Sequence, residues 1–413
     1  MYLLQNCIKN LRTVSTLSLR RAGLAALIGS LYSMPAFSDT LKPFVSASIN
    51  HDDNLFRLSD AQLRLVDSGA DIYRSVIGGV NFERPIGRQV LTGLTSFSST
   101  KFDRNDQLDY TGKDLSGDWH WFVAAHFEGH IGASYGQALA PFSDFHTVQR
   151  NLRTTKKQYA DGSWRFHPSW QWRTSYIRYQ NIYDLPSQRV NDRTEDSVTA
   201  GVDYLAKSGS TIGFQVRRLK GRYPYTQSSS AGSFDNGYVQ DEAKMNVLWQ
   251  ITGSTQILFL GGWARRKQNA FPDRADSGTN ARLVVNWTPA KRVKLVGQAW
   301  REFAAIDGAL IDSALTTGAS VGTTWDFSEK IQALLNLKHE TRDFKPASNA
   351  NVSLSSALLS DSNKLASLGL VYKPLRNLTL QVNAFREQRS GSAAAGTNSF
   401  KANGASLNAR MQF

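Results

Sequence analysis

After the first 38 residues, apolar and polar positions alternate one for one in runs of about 10 to 14 residues, the period of a strand and not of a helix. Met245, Val247, Trp249 and Ile251 alternate with Lys244, Asn246, Leu248 and Gln250. Leu283, Val285 and Trp287 alternate with Arg282, Val284 and Asn286. The stripe recurs at Val293, Leu295, Gly297 and Ala299, at Ile331, Ala333, Leu335 and Leu337, and at Leu378, Leu380, Val382 and Ala384. Each stripe requires an apolar surface to face.

The connections alternate between short and long. Short turns fall near Arg84–Arg88, Ala124–Ala125, His167–Ser169, Lys207–Ser210, Thr252–Ser254, Pro289–Arg292, Phe327–Lys330 and Lys373–Asn377. Longer polar stretches lie between them: His51–Ala70, Asp103–Gln107, Ala140–Gln149, Asp184–Asp192, Pro224–Gly237, Asn269–Gly278, Ala304–Asp312, Lys345–Asp361 and Arg389–Asn398. Eight turns and nine loops predict 18 strands with both chain ends on the short-turn side. That is an all-β, transmembrane outer-membrane antiparallel barrel, with short periplasmic turns and longer extracellular loops. A secreted β-sandwich also has alternating strands, but gives no reason for one-sided loop lengths. Nor does it explain why Trp119, Trp121, Trp164, Phe166, Trp170, Trp172, Tyr176, Trp249, Trp263, Trp287 and Trp325 cluster mostly beside the short turns, where an interfacial girdle belongs.

Both ends of the chain agree with export. Lys9, Arg12, Arg20 and Arg21 precede an uncharged apolar run from Ala22 to Phe37, the layout of a signal peptide over residues 1–38, with residues 39–413 as one barrel domain. At the other end Leu407, Ala409, Met411 and Phe413 alternate with Ser406, Asn408, Arg410 and Gln412. Such an amphipathic last strand ending on phenylalanine is the kind of signal expected to engage the barrel-assembly machinery, which marks Phe413 as the assembly residue.

Charge refines the picture. Four of the 48 Lys and Arg lie in the first 38 residues, leaving 44 against 34 Asp and Glu. The excess points to an anionic partner. For an exported barrel, lipopolysaccharide phosphates and the outer-membrane lipid or an acidic polysaccharide suit this excess better than nucleic acid, which is not expected. With the apolar stripes facing lipid, the opposite parity sends Arg165, Arg173, Arg217, Lys244, Arg282, Lys294, Lys338 and Arg410 into the lumen. Gln171, Gln215, Asn246, Gln250, Asn286, Gln298, Asn336, Gln381 and Asn383 accompany them. A basic lumen favours anions, amides suit sugar hydroxyls, and Trp300 and Phe385 could stack on sugar faces.

The segment His51-Asp52-Asp53-Asn54-Leu55-Phe56-Arg57-Leu58 resembles the Asp-Asp-Asn-hydrophobic-Phe-Arg signature near the mature N-terminus of EpsL-type exopolysaccharide-biosynthesis outer-membrane proteins, a β-barrel porin family. The resemblance implies a barrel acting with an exopolysaccharide and its export machinery. It is sharp over about eight residues only. Read by themselves, Asp52, Asp53 and Asn54 are turn formers and potential oxygen ligands for calcium. The simpler expectation is a loop that tucks Leu55 and Phe56 into the barrel mouth while Arg57 pairs with an acid.

Little in the sequence points to catalysis. His126 and His130 would meet on a helix, but four residues of strand span about 13 Å. There is no phosphate loop or zinc signature, and Cys7, the only cysteine, lies in the presequence. The expectation is a channel with no catalytic residue, metal or cofactor, passing or guiding a polysaccharide. A general diffusion or nutrient-uptake porin and a barrel enzyme acting on lipid or polysaccharide are the alternatives. Whether the lumen is plugged, for example by Lys345–Asp361, is left open.

Overall fold

The computed structural model describes residues 40–66, 69–143, 148–229, 232–269, 275–304, 311–346, 359–392 and 396–413. The expected signal peptide and most of the Lys345–Asp361 loop lie outside the described residues.

The strands follow in sequence. The first nine are β1 (Leu41–Asp52), β2 (Asp71–Ile86), β3 (Gln89–Phe102), β4 (Tyr110–Val123), β5 (Phe127–Leu139), β6 (Leu152–His167), β7 (Trp170–Tyr183), β8 (Arg193–Leu205) and β9 (Thr211–Arg222). Two three-residue strands, β10 (Gln227–Ser229) and β11 (Gly232–Phe234), form a small hairpin in the next long loop. The wall resumes with β12 (Tyr238–Thr252), β13 (Thr255–Gln268), β14 (Ala275–Ala290), β15 (Val293–Ala304) and β16 (Ile311–Asp326). It ends with β17 (Ile331–Pro346), β18 (Ser360–Leu375), β19 (Leu378–Ser390) and β20 (Phe400–Gln412). Each wall strand pairs antiparallel with the next, β9 passes to β12, and β1 pairs with β20. The result is a closed 18-stranded sheet, so no backbone edge faces hydrocarbon.

Parity then assigns the faces. On β9, Ile212, Phe214 and Val216 are about half exposed on the outer wall, while Gln215 between them is buried toward the lumen. Leu368, Leu370 and Val382 form the same outer band on β18 and β19. Trp121 lies flat on this wall across Gly129 and Gly162; a Cβ at Gly129 would come within 2.6 Å of the indole, so the small residues there make room for the ring. Most ring residues of the expected girdle sit beside the short turns, with Trp164 stacked on Phe127 at 5.8 Å and Trp170 against Tyr204 at 5.3 Å. Trp263, however, lies in the half of β13 nearer the long loops.

The largest boundary difference from the sequence reading is at β14. The polar run Asn269–Gly278 reads as loop, yet β14 begins at Ala275 because Asp276 pairs with Arg266 and Gly278 with Ala264 in the ladder. Polar residues on the lumenal face of a strand look like loop when the outward partners are also small.

Candidate functional site

The long-loop mouth is narrowed from inside. After β1 the chain turns inward, and Leu55, Phe56 and Leu58 pack with Phe102, Leu108 and Phe142 into a buried apolar cluster. Phe56 meets Phe142 edge to face, with centroids 5.0 Å apart. A four-residue helix, α1 (Asp60–Leu63), follows, opened by a Ser59–Gln62 capping box.

Asn54 builds the turn that delivers this cluster. Its side-chain NH2 donates to the carbonyls of Leu58 (2.7 Å) and Lys401 (2.9 Å), and its side-chain oxygen accepts from the Leu58 amide at 2.9 Å. Arg57 takes a left-handed backbone (φ 55°) and sends its guanidinium to two acids, Asp52 at 2.8 Å and Glu387 at 3.0 Å. Burial works against the Arg57 charge, but the two carboxylates more than offset it and hold its pKa above the ordinary arginine value. Both Asp52 oxygens accept from Arg57, and both Asp53 oxygens accept from Asn403. These carboxylates are therefore spent on protein donors. Arg389, beside Asp361, donates to the Ser143 carbonyl and ties the Ala140–Gln149 loop to the opposite wall.

Below the mouth an open chamber of about 920 Å³ is lined by Gln298, Asn336, Gln381, Asn383, Trp300 and Phe385, with Lys294 and Lys338 among them. A second recess of about 290 Å³ lies against β6 to β9 and β12 to β14, where Arg173, Asp203, Gln215 and Asn246 adjoin Leu258 and Val284. This part of the wall is more apolar than the alternation implies.

The lumenal cations are largely neutralised, which corrects the expectation of a simply basic pore. Arg173 pairs with Asp203, Arg217 with Glu242 (3.4 Å), Lys244 with the same Glu242 (2.9 Å), Arg282 with Glu302 (2.5 Å) and Lys338 with Glu340 (2.9 Å). In a confined polar space an unmatched charge costs free energy, and these five cations each sit within reach of an acid two residues away on the same strand or one strand over. Lys294 has no ionic partner among the described residues, and Arg410 stacks on the Phe44 ring at 3.9 Å. Arg165 sits where the register slips between Trp164 and His167 and is exposed at the short-turn rim, away from these groups.

Sequence reasoning missed one cluster. His130 does not meet His126, which lies in the β4–β5 turn; it stacks on His120 across the hairpin at 4.1 Å and approaches Asp118 at 2.8 Å, and Tyr159 donates to the same carboxylate. Centring the turn on Ala125 pairs 120 with 130, so the signal was in the hairpin register and not in the helical spacing. Among the described residues no group of three or more His, Cys, Asp or Glu is placed to hold a metal ion. Trp300 is largely buried, with its indole lying against Gly318 across the β15–β16 ladder and Arg282 and Lys338 each 5.5 Å from the ring centroid.

A closed sheet with an apolar outer band and a water-accessible, charge-balanced interior defines a transmembrane β-barrel of the outer-membrane type. The family model described as "Putative beta-barrel porin 2" matches residues 222–413, which span β12 to β20. Similar solved structures include OccAB3 of Acinetobacter baumannii (10% identity, 91% of this chain and 98% of that one, TM-score 0.47). OccK2 (OpdF) of Pseudomonas aeruginosa aligns at 10% identity over 92% of this chain and 100% of its own, with TM-score 0.48. The FrpB iron transporter from Neisseria meningitidis aligns at 8% identity over 91% and 83%, with TM-score 0.48. No curated protein matches the chain.

Proposed function

We propose that the protein is an outer-membrane channel for hydrophilic, saccharide-like solutes, and that its finer role is in exopolysaccharide biosynthesis or export. The observation that carries the first part is the chamber of about 920 Å³. Its amides present donor and acceptor pairs for hydroxyls, and the half-buried Phe385 ring, with the more deeply buried Trp300, adds aromatic surface of the kind that packs on sugar rings. Pairing of most of the nominated lumenal cations suits neutral or weakly charged chains better than strong anion selection. The exopolysaccharide role rests on the resemblance of residues 51–58 and on nothing in the lumen itself.

A specific observation favours a second reading, a small-solute diffusion or uptake porin: the pinned mouth segment narrows the entrance, which obstructs a polymer more than a monosaccharide. Purified protein in liposomes separates the two. Osmotic swelling by monosaccharides and by oligosaccharides of increasing length should be comparable for a polymer channel, and should fall to zero beyond two or three sugars for a small-solute porin. A Trp300→Ala variant should change saccharide flux while leaving the flux of small ions within about twofold, since it removes an aromatic lining group worth roughly 1 kcal/mol and no net charge. Equal loss of both fluxes, or of neither, removes the chamber from the reading.

A further inference from the structure

We infer that the outward face of β9, β12 and β13 at the long-loop end binds phosphate groups of the outer-leaflet glycolipid, which in a Gram-negative envelope is lipopolysaccharide. The inference rests on the outer-membrane assignment but not on what passes through the lumen.

Three outward positions in succession on β9 are cationic, Arg218, Lys220 and Arg222, and two on β13, Arg265 and Lys267. The ladders place them in two rungs. Arg218 lies opposite Asp241, which lies opposite Arg265; Lys220 lies opposite Val239, which lies opposite Lys267. With strands about 4.8 Å apart and about 6.6 Å between alternate residues, the four form a patch of about 10 by 7 Å, the scale of a phosphate and its neighbouring sugar.

Directly below the patch the outer wall becomes apolar. Val216 and Phe214 follow on β9, Met245 and Val247 on β12 and Trp263 on β13, and Val216, Phe214, Met245 and Trp263 are exposed large side chains. The cations therefore stand at the height where hydrocarbon gives way to headgroup. From there long Lys and Arg stems reach the phosphate layer while their methylenes stay on the apolar band.

Two acids face the same surface. Asp241 pairs with Arg218 at 3.0 Å, and Asp196 on β8 accepts from Arg178 at 2.7 Å and from Arg222. Lys220, Arg265 and Lys267 have no counter-ion among the described residues. Elsewhere on the outer rim the arrangement differs. Arg74, Lys101 and Lys401 are each matched by an acid, Asp103, Asp109 and Asp60. Arg301 stands singly on β15, and Lys364 and Arg386 are a diagonal pair on β18 and β19 beside the matched Lys401. Arginine forks and ammonium groups at the density of the β9–β13 patch favour phosphate over a single carboxylate, because several donors can share its oxygens.

Full-length protein, purified in detergent and reconstituted in nanodiscs, tests the inference with three probes: lipopolysaccharide, the same lipid after phosphatase treatment, and inorganic phosphate. The variants are the triple Lys220→Gln, Arg265→Gln, Lys267→Gln, and a control triple Arg301→Gln, Lys364→Gln, Arg386→Gln. Removing three near-surface charges should weaken lipopolysaccharide binding at least about tenfold, whereas the control triple should stay within about twofold. Dephosphorylated lipid should bind the wild type as weakly as the intact lipid binds the first triple, and inorganic phosphate should not compete at millimolar concentration. Equal losses in both triples, or unchanged binding in the first, overturn the site. Competition by inorganic phosphate overturns the lipid and leaves a soluble anion. Binding is read only on heat-modifiable, folded material; if the triple does not fold, Arg265→Gln alone against Arg265→Lys carries the test, with loss expected in the first only and equal affinity refuting it. Single-channel conductance, measured in parallel, reports separately on the channel reading.

Discussion

Replacing Arg57 by alanine removes the one side chain that joins the mouth segment to both Asp52 and Glu387. The backbone strain at φ 55° is common to both residues and cancels, so the change isolates the guanidinium. Asp52, only 4% exposed, and Glu387 are then left as carboxylates without their cation. Breaking a buried pair on one side costs about 3 to 5 kcal/mol. The mouth lies near water and Asn54 still anchors the turn, so about 2 to 4 kcal/mol is the reasonable share for release of the segment. At about 1.4 kcal/mol per tenfold, the ratio of docked to released mouth should fall by roughly 30- to 1000-fold. The barrel ladder is untouched, so heat modifiability should persist. Planar-bilayer recordings should show a larger mean conductance with frequent transitions, and a protease added from the long-loop side should cut within residues 53–66. Arg57→Lys keeps the charge but not the fork and should fall between wild type and alanine. Identical conductance and protection in Arg57→Ala would show that the ion pairs do not hold the mouth and that its apolar cluster suffices.

Three further outcomes are expected. Deleting Phe413, whose amide donates to the Pro43 carbonyl at 2.8 Å across the β1–β20 seam, should reduce the folded, heat-modifiable fraction in the membrane; an unchanged yield would remove the residue from assembly. Epitope tags within Pro224–Gly237 should be accessible on intact cells and tags within Lys207–Ser210 should not, the reverse pattern inverting the barrel. Changing Arg173, Arg217 and Arg282 together to Gln unmasks Asp203 and Glu302, leaves Glu242 with Lys244 alone, and should shift reversal potentials toward cations, with some loss of thermal stability. Lys294→Gln, with no partner to unmask, should shift selectivity in the same direction with no such loss.

Strand count, order and closure were legible because a single physical fact, lipid on one side and water on the other, is written into every second residue from Leu41 to Gln412. The lumenal parity of residues such as Arg217 and Arg282 follows from the same rule. What alternation cannot carry is who stands across the barrel. Arg57 meets Glu387 over 330 residues of chain, and no local pattern encodes that distance. Part of the neutralised lumen escaped for the same reason: Arg173 and Asp203 look like two unrelated charges until the β7–β8 register sets Asp203 opposite Gln171, next to the arginine. Lys244–Glu242 and Lys338–Glu340, by contrast, lie two residues apart on one face and were legible locally. The His120–His130 stack is intermediate, since it needs only the centre of one short turn.

The mouth segment leaves the first strand but is fastened to the last two. Asp53 exchanges three hydrogen bonds with Asn403, Asn54 donates to the Lys401 carbonyl, and Arg57 reaches Glu387. The polar part of its docking platform therefore exists only once β1 has met β20, whereas Phe102, Leu108 and Phe142 belong to the near side of the barrel. An incompletely zipped barrel carries these acceptors on its far edge and keeps a wide entrance; a finished one narrows it without any further factor. The constriction is in this sense a proofreading latch on the seam, set late by the long chain separation of its contacts. In a refolding time course, protection of residues 53–66 from protease should lag behind the appearance of hairpin structure and coincide with the heat-modifiable form.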